Sequence, residues 1–162
     1  MKEKIISVRL FEFDSEDELS SSESNLLNHA KKACTNAYAP YSQFRVGAAL
    51  LLENGEVITG SNQENTSYPN GICAERVAIF TAKNKYPDIA IKSIAITANT
   101  NNFEIEEPIS PCGACRQVIA ETESRQHKEI KIIMKGNKGP VLLTNGIKNL
   151  LPLMFHEEKL KK

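Results

Sequence analysis

The sequence predicts an α/β fold, a three-layer α/β/α sandwich around a central mixed sheet of about five strands. Three observations carry this expectation. Segments with strand-like apolar patterning alternate with segments whose apolar residues recur every three to four positions. An Asn54-Gly55 pair joins two apolar runs and marks an antiparallel hairpin, whereas the later strands are separated by helices long enough to act as crossovers. Finally, 162 residues with 41% hydrophobic content suffice for one sizeable core but not for two.

Taken in order, residues 4 to 13 read as a strand, because Ile6, Val8 and Leu10 recur at a period of two. Residues 14 to 24 are acidic and serine-rich, hence a solvated connector, and residues 1–24 are set apart from a domain spanning 25–162. Ser20 and Glu23 stand at capping-box spacing before Leu26, Leu27, Ala30, Ala33, Cys34, Ala37 and Tyr38, a helical apolar face that Pro40 stops. Cys34 lies on that face and reads as a buried thiol. Phe44 to Leu52 and Glu56 to Ser61 form the hairpin around Asn54-Gly55, read as a type I′ turn. A helix over 73–85 closes at Pro87, a strand follows at 91–98, and a second helix runs from Cys112 to about Ser124. Strands at 130–134 and 140–143 and a short helix near 147–151 complete the chain.

Composition removes several classes of function. Twenty basic residues balance twenty acidic ones, so the chain lacks the broad positive field with which proteins engage polynucleotide phosphates. Any ligand related to nucleic acid is therefore expected to be small. The longest apolar stretch, Val46 to Leu52, is far short of the roughly 20 residues that span a bilayer. No signal-type segment is visible at the N-terminus, so a cytoplasmic location is the expectation, and four cysteines in that compartment read as free thiols or metal ligands.

Three of those cysteines form a pattern. Cys112 and Cys115 are spaced i, i+3, which puts both thiols on one face of a helical turn, and Cys73 opens the other cysteine-bearing helix. Three protein ligands leave a fourth position open on zinc, as a catalytic site requires. Alone, Cys-x-x-Cys would equally suit a redox pair or a structural zinc module. Glu75, two positions beyond Cys73, adds a carboxylate beside the site; without the cysteines it would read as an ordinary first-turn glutamate. Arg76, one turn from Cys73, can hydrogen-bond a thiolate. Zinc deaminases combine such a Cys-x-Glu with a downstream Pro-Cys-x-x-Cys. His29, His127 and His156 stand in no ligand-like spacing.

With these residues in view, the chain resembles the cytidine deaminase family in its short, three-cysteine form, from about Leu26 to Phe155. The matching segments are Ala39-Pro-Tyr-Ser-Gln-Phe-Arg-Val-Gly-Ala-Ala49, Gly60-Ser-Asn-Gln-Glu-Asn65, Cys73-Ala-Glu-Arg76, Ser110-Pro-Cys-Gly-Ala-Cys-Arg-Gln117 and Leu150-Leu-Pro-Leu-Met-Phe155. The resemblance implies one Zn²⁺ per subunit on Cys73, Cys112 and Cys115, with Glu75 as the catalytic proton carrier and Arg76 and Gln117 supporting the site. It implies that Asn62 and Glu64 hold the ribose hydroxyls and that Phe44, Ala74, Tyr68 and Phe155 contact substrate, Phe155 from a neighbouring subunit of a homotetramer whose active sites are shared. The implied reaction is hydrolysis of cytidine or deoxycytidine to uridine or deoxyuridine and ammonia, in pyrimidine salvage, with no nucleic-acid or membrane partner.

Two kinds of rival follow from the same residues. A related deaminase acting on the aminonucleoside blasticidin S shares the cysteine elements, but Asn62-Gln63-Glu64-Asn65 argues for cytidine. A purely structural zinc would need a fourth protein ligand, from Cys34 or a histidine.

Overall fold

The computed structural model describes residues 1–157 and 160. The elements in chain order are β1 (Phe11–Phe13), α1 (Ser21–Ala33), β2 (Arg45–Leu52), β3 (Val57–Ser61), α2 (Ala74–Lys85), β4 (Ile91–Asn99), α3 (Gly113–Gln126), β5 (Lys131–Lys135) and β6 (Val141–Asn145). The six strands form one mixed sheet in the order β1-β6-β5-β4-β2-β3. Only the β4–β5 pair is parallel, and α3 is its crossover.

Strand alternation produces the layers. Ala48, Leu50 and Leu52 of β2 point to one face, where Ala74, Ala78 and Ile79 of α2 and Ile119 of α3 cover them together with Ile94, Ile96, Ile132 and Met134. Ala49, Ala95, Ile133 and Leu143 point to the other face and meet Leu26, Leu27 and Ala30 of α1. The sheet is thus covered on both faces, which is the expected three-layer sandwich.

Local signals explain the element boundaries. α1 starts at the Ser20–Glu23 capping box, in which the Ser20 amide donates to the Glu23 carboxylate (3.0 Å) and the Glu23 amide to Ser20 Oγ (3.4 Å). The helix ends at Ala33, earlier than its apolar periodicity predicts, and a 3₁₀ turn over Cys34–Asn36 follows. Tyr38 leaves the helical path because its backbone pairs with the loop after β3: its amide donates to the Asn62 carbonyl (3.0 Å), and its carbonyl accepts from the Glu64 amide (2.8 Å). α1 can lie flat on β2 because position 47 is glycine; a Cβ there would come within 2.1 Å of the Ala30 carbonyl oxygen.

The hairpin turn differs from type I′. Gly55 takes φ 85°, but Asn54 is not among the positive-φ residues, and the Gly55 amide donates to the Leu52 carbonyl while the Leu52 amide donates to the Glu56 carbonyl. The connection is Glu53-Asn54-Gly55, a type I turn closed by a left-handed glycine, so only one of the two turn residues needs glycine's freedom.

The N-terminal strand is much shorter than residues 4 to 13. Only Phe11–Phe13 pairs, antiparallel to Val141–Leu143 at the sheet edge, and Ile5, Ile6, Val8 and Leu10 are exposed. Period-two patterning identifies strand-competent residues but does not supply a partner edge, and β6 ends at Asn145. This edge strand is the sixth of the sheet. Beyond it, the Arg9 carbonyl accepts from Thr144 Oγ1 (2.8 Å) and its amide donates to Asn149 Oδ1 (3.0 Å). Phe13 packs on the α1-side core, so deletion of residues 1–14 is expected to lower the melting temperature while leaving turnover per zinc-loaded site unchanged. Calorimetry and a site-normalised assay check this; an unchanged melting temperature would contradict it.

Candidate active site and metal centre

Both cysteine-bearing helices begin at a cysteine. Cys73 is the N-cap of α2 and Cys112 the N-cap of α3, and neither helix start has a side-chain cap. Their first-turn amides and positive dipole ends therefore face the thiols. Cys115, one turn into α3, is buried. The Sγ atoms of Cys73 and Cys112 are 3.8 Å apart and those of Cys112 and Cys115 3.5 Å, and all three lie within 4.8 Å of one another. Among the described residues, no fourth Cys, His, Asp or Glu joins the group.

Charge is already organised there. The Cys73 thiol is held down to about 5, first by the hydrogen bond from Cys115 and then, against the opposing effect of burial, by the Arg76 guanidinium, whose Nη2 is 3.8 Å from its sulfur. Cys115 is pushed up by its hydrogen bond with Cys73 and by burial. Arg76 Nε is buried without a partner among the described residues, so donor capacity remains beside the Cys73 sulfur. Three converging soft donors, two helix N-termini and a guanidinium suit zinc, which takes thiolates readily.

The approach of α2 to the sheet sets this geometry. A Cβ on Gly60 of β3 would lie 2.4 Å from the Ala74 carbonyl oxygen and 2.5 Å from the Ala78 nitrogen, both rigid helix backbone. Gly60→Ala must push α2 outward and carry Cys73 and Glu75 with it. Overpacking of this kind costs about 1–3 kcal/mol, and about 2–4 °C of melting temperature is lost per kcal/mol in a domain of this size. The expected result is a melting temperature lower by about 2–12 °C together with reduced zinc retention, read by calorimetry and metal analysis.

Cys73, Cys112 and Glu75 open onto one cleft of about 650 Å³, a size that suits a small organic ligand; Phe44, Asn62, Glu64 and Tyr68 also line it. Glu75 lies in the first turn of α2, only 4% exposed, and burial pushes its carboxyl above the ordinary range, the Cys73 charge adding to the effect. Ala74 is wholly buried, its carbonyl packed over Gly60.

The remaining residues singled out from the sequence fall into two groups. Glu64 sits in a cradle of three donors: the amides of Tyr41 (3.0 Å) and Ser42 (3.3 Å) and the Ser42 hydroxyl, which lead in holding its pKa below the usual range. Asn62 spans to β2, its Oδ1 accepting from the Val46 amide (2.7 Å) and its Nδ2 donating to the Phe44 carbonyl (2.9 Å). One amide hydrogen and one lone pair stay free for a ligand. Tyr68 stands at the cleft mouth, 76% exposed, edge-on to Tyr41 at 6.0 Å. Gln117 and Phe155 lie apart from the cleft lining: Gln117 Nε2 donates to the Phe155 carbonyl (2.9 Å), and the Phe155 ring is 72% exposed. Cys34 is remote from the metal group, buried with its thiol toward the Thr97 carbonyl (3.7 Å), and burial pushes it up to about 11. The histidines do not line the cleft.

Two contributors were not apparent from spacing. Ser42 organises Glu64, and its only signal is a polar residue at the start of a turn. Arg116 donates to the Pro111 carbonyl, the Leu150 carbonyl and Ser110 Oγ, each at 2.8 Å, and so ties the segment before Cys112 to the C-terminal segment. Its position inside the Cys-Arg-Gln run concealed it among residues read for the metal.

Comparison with known proteins agrees with this geometry. The family model described as the cytidine and deoxycytidylate deaminase zinc-binding region matches residues 20–131. The chain is 43% identical over 135 residues to the cytidine deaminase of Sporosarcina psychrophila, covering 83% of this chain and 92% of that one. It is 48% identical over 96 residues to the cytidine deaminase of Halalkalibacterium halodurans, covering 59% and 68%. A crystal structure of cytidine deaminase from Burkholderia pseudomallei superposes with a TM-score of 0.71 at 37% identity, over 85% of this chain and 100% of that one. The matched region contains Cys73, Glu75, Cys112 and Cys115 together with strands β2, β3 and β4, and the chain belongs to the cytidine and deoxycytidylate deaminase family.

Proposed function

We propose that this chain catalyses the zinc-dependent hydrolytic deamination of cytidine and deoxycytidine, giving uridine or deoxyuridine and ammonia in pyrimidine nucleoside salvage. One observation carries the reading: a buried carboxyl and two of three clustered thiols, those of Cys73 and Cys112, open onto one cleft of nucleoside size. Cys73, Cys112 and Cys115 hold the metal. Bound there, zinc supplies Lewis acidity, making water acidic enough to lose a proton near neutral pH.

The chain's own residues do the rest. Glu75 takes one proton from the attacking water and passes it to N3 of the pyrimidine, then takes the second from the new C4 hydroxyl and delivers it to the amine, which departs as ammonia as the C4–N bond breaks and the C4 carbonyl forms. Its burial keeps bulk water from competing for that proton, and its raised affinity for a proton suits a group that must both accept and return it. Glu64, held ionised by Ser42 and Tyr41, accepts from a ribose hydroxyl, and the free donor of Asn62 completes the contact. Phe44 offers an apolar face to the flat base.

The assembly is a homotetramer in the cytoplasm, with Phe155 and Tyr68 serving sites shared between subunits. The exposure of both rings supports this reading, since each leaves a large apolar surface open to a neighbour. Neither the charge balance nor the helices favour other partners: basic and acidic residues are equal in number, and among the described residues no helix is long and apolar enough to cross a membrane.

The test is ultraviolet absorbance of cytidine, deoxycytidine and blasticidin S, each mixed with zinc-loaded protein, with ammonia assayed in parallel. Turnover of the two pyrimidine nucleosides is expected. Turnover of blasticidin S alone would reassign the substrate, and no turnover from protein holding one zinc per chain would favour a structural metal.

A further inference from the structure

We infer that Phe103 is a positioning residue for substrate, holding the Phe44 ring at the orientation in which it faces the base. The inference rests on the cytidine deaminase reading and extends it to a residue on the loop between β4 and α3. The Phe103 and Phe44 rings are stacked, with centroids 6.3 Å apart and planes inclined by 24°. Phe44 lines the cleft, whereas Phe103 is 58% exposed and lies outside it.

The loop holds Phe103 in place. Two residues on, Ile105 is buried, its amide donating to Asn137 Oδ1 (2.7 Å) and its carbonyl accepting from the Lys138 amide (3.1 Å). The loop backbone lies directly on the β5–β6 turn, where a Cβ on Gly136 would meet the Ile105 carbonyl oxygen at 2.2 Å and one on Gly139 the Glu106 carbonyl oxygen at 2.0 Å. Glu104, next to Phe103, pairs with Lys138. Downstream, the same loop supplies Ile109 and Ser110 to the cleft before entering Cys112.

Phe44 is the complementary case. Its amide donates to Ser42 Oγ (3.0 Å) and its carbonyl accepts from Asn62, so its backbone belongs to the cradle around Glu64. Those bonds fix its backbone and not its ring, and the ring stacked on it is that of Phe103. Removing that partner lets the Phe44 ring sample other rotamers, a cost that falls on substrate binding and not on the proton transfers at Glu75. Stacked aromatic pairs of this kind correspond to about 3- to 10-fold in an equilibrium constant.

The test uses the zinc-loaded full chain with cytidine. Phe103→Ala is expected to raise KM by about 3- to 10-fold with kcat within about 2-fold of the parent, with zinc content unchanged and the melting temperature lowered by no more than about 6 °C; Phe103→Tyr restores KM. In a Phe44→Ala background, Phe103→Ala should add nothing further. Equilibrium dialysis of cytidine against the Glu75→Gln protein, with and without Phe103→Ala, reads binding apart from turnover and should show the same fold-change. An unchanged KM, an equal fall in kcat and kcat/KM, or effects of the two phenylalanines that multiply independently would overturn the inference while leaving the deaminase reading intact. Absence of cytidine binding to the Glu75→Gln parent would overturn the nucleoside reading, and this inference with it.

Discussion

Glu75→Gln is expected to keep one zinc per chain and to lose at least about 10²- to 10⁴-fold in kcat, the range that a general acid–base group supplies. Gln has nearly the size and shape of Glu, so the first turn of α2 and the Cys73 position are preserved, but an amide cannot take up and return a proton. Stability should move the opposite way. Because burial raises the Glu75 pKa in the folded chain, folding binds a proton and becomes less favourable as pH rises through the carboxylate range. A neutral side chain removes that penalty, so the metal-free variant melts at or above the parent at pH 7. Metal analysis, cytidine absorbance and calorimetry read the three outcomes; parental turnover by Glu75→Gln would remove this carboxyl from the proton path.

Cys115→Ala should abolish stoichiometric zinc binding and reduce activity by more than about 10⁴-fold, bounded by detection, since enzymes commonly accelerate reactions by ~10⁶ or more. Cys115 is the wholly buried member of the metal group, and its loss leaves two thiols, too few to hold the ion in place. The same variant separates metal binding from packing. Free zinc at about 1,000 times Kd stabilises the folded parent by ~4 kcal/mol, or about 8–16 °C at ~2–4 °C per kcal/mol for a domain of this length. The Cys115→Ala melting temperature should not respond to zinc. Cys34→Ala is the control: its thiol lies outside the group, so zinc and activity persist and only the packing beneath Gly47 is weakened. Loss of zinc from Cys34→Ala would bring back the structural four-ligand reading.

The parts of the molecule readable from the sequence are those governed by local chemistry. The Ser20–Glu23 capping box set the start of α1, and the alternation of β2 produced a sheet covered on both faces. The cysteine spacings held because helix geometry converts i, i+3 into a shared face, and the two N-cap cysteines brought the third ligand to it. What the sequence did not reveal depends on distant partners. Residues 4–8 have strand patterning but lie past the end of β6, and Tyr38 left its helical pattern for the backbone of Asn62 and Glu64. The Asn54-Gly55 turn had two solutions consistent with its residues, and the hydrogen bonds of Leu52 selected one. At the site, Asn62 and Glu64 were identifiable, but their support by Val46, Ser42 and Tyr41 was not, because cradles assembled from backbone amides leave no residue signature.

The most direct test of the central claim is oxygen-18 incorporation. Zinc-loaded protein is incubated with cytidine in oxygen-18 water, and the uridine formed is analysed by mass spectrometry beside the ammonia released. Hydrolysis at this cleft predicts one labelled oxygen in the base of each uridine and one ammonia per uridine, both lost in Glu75→Gln. Uridine without the label, or labelled uridine formed equally well by Glu75→Gln, would contradict the account.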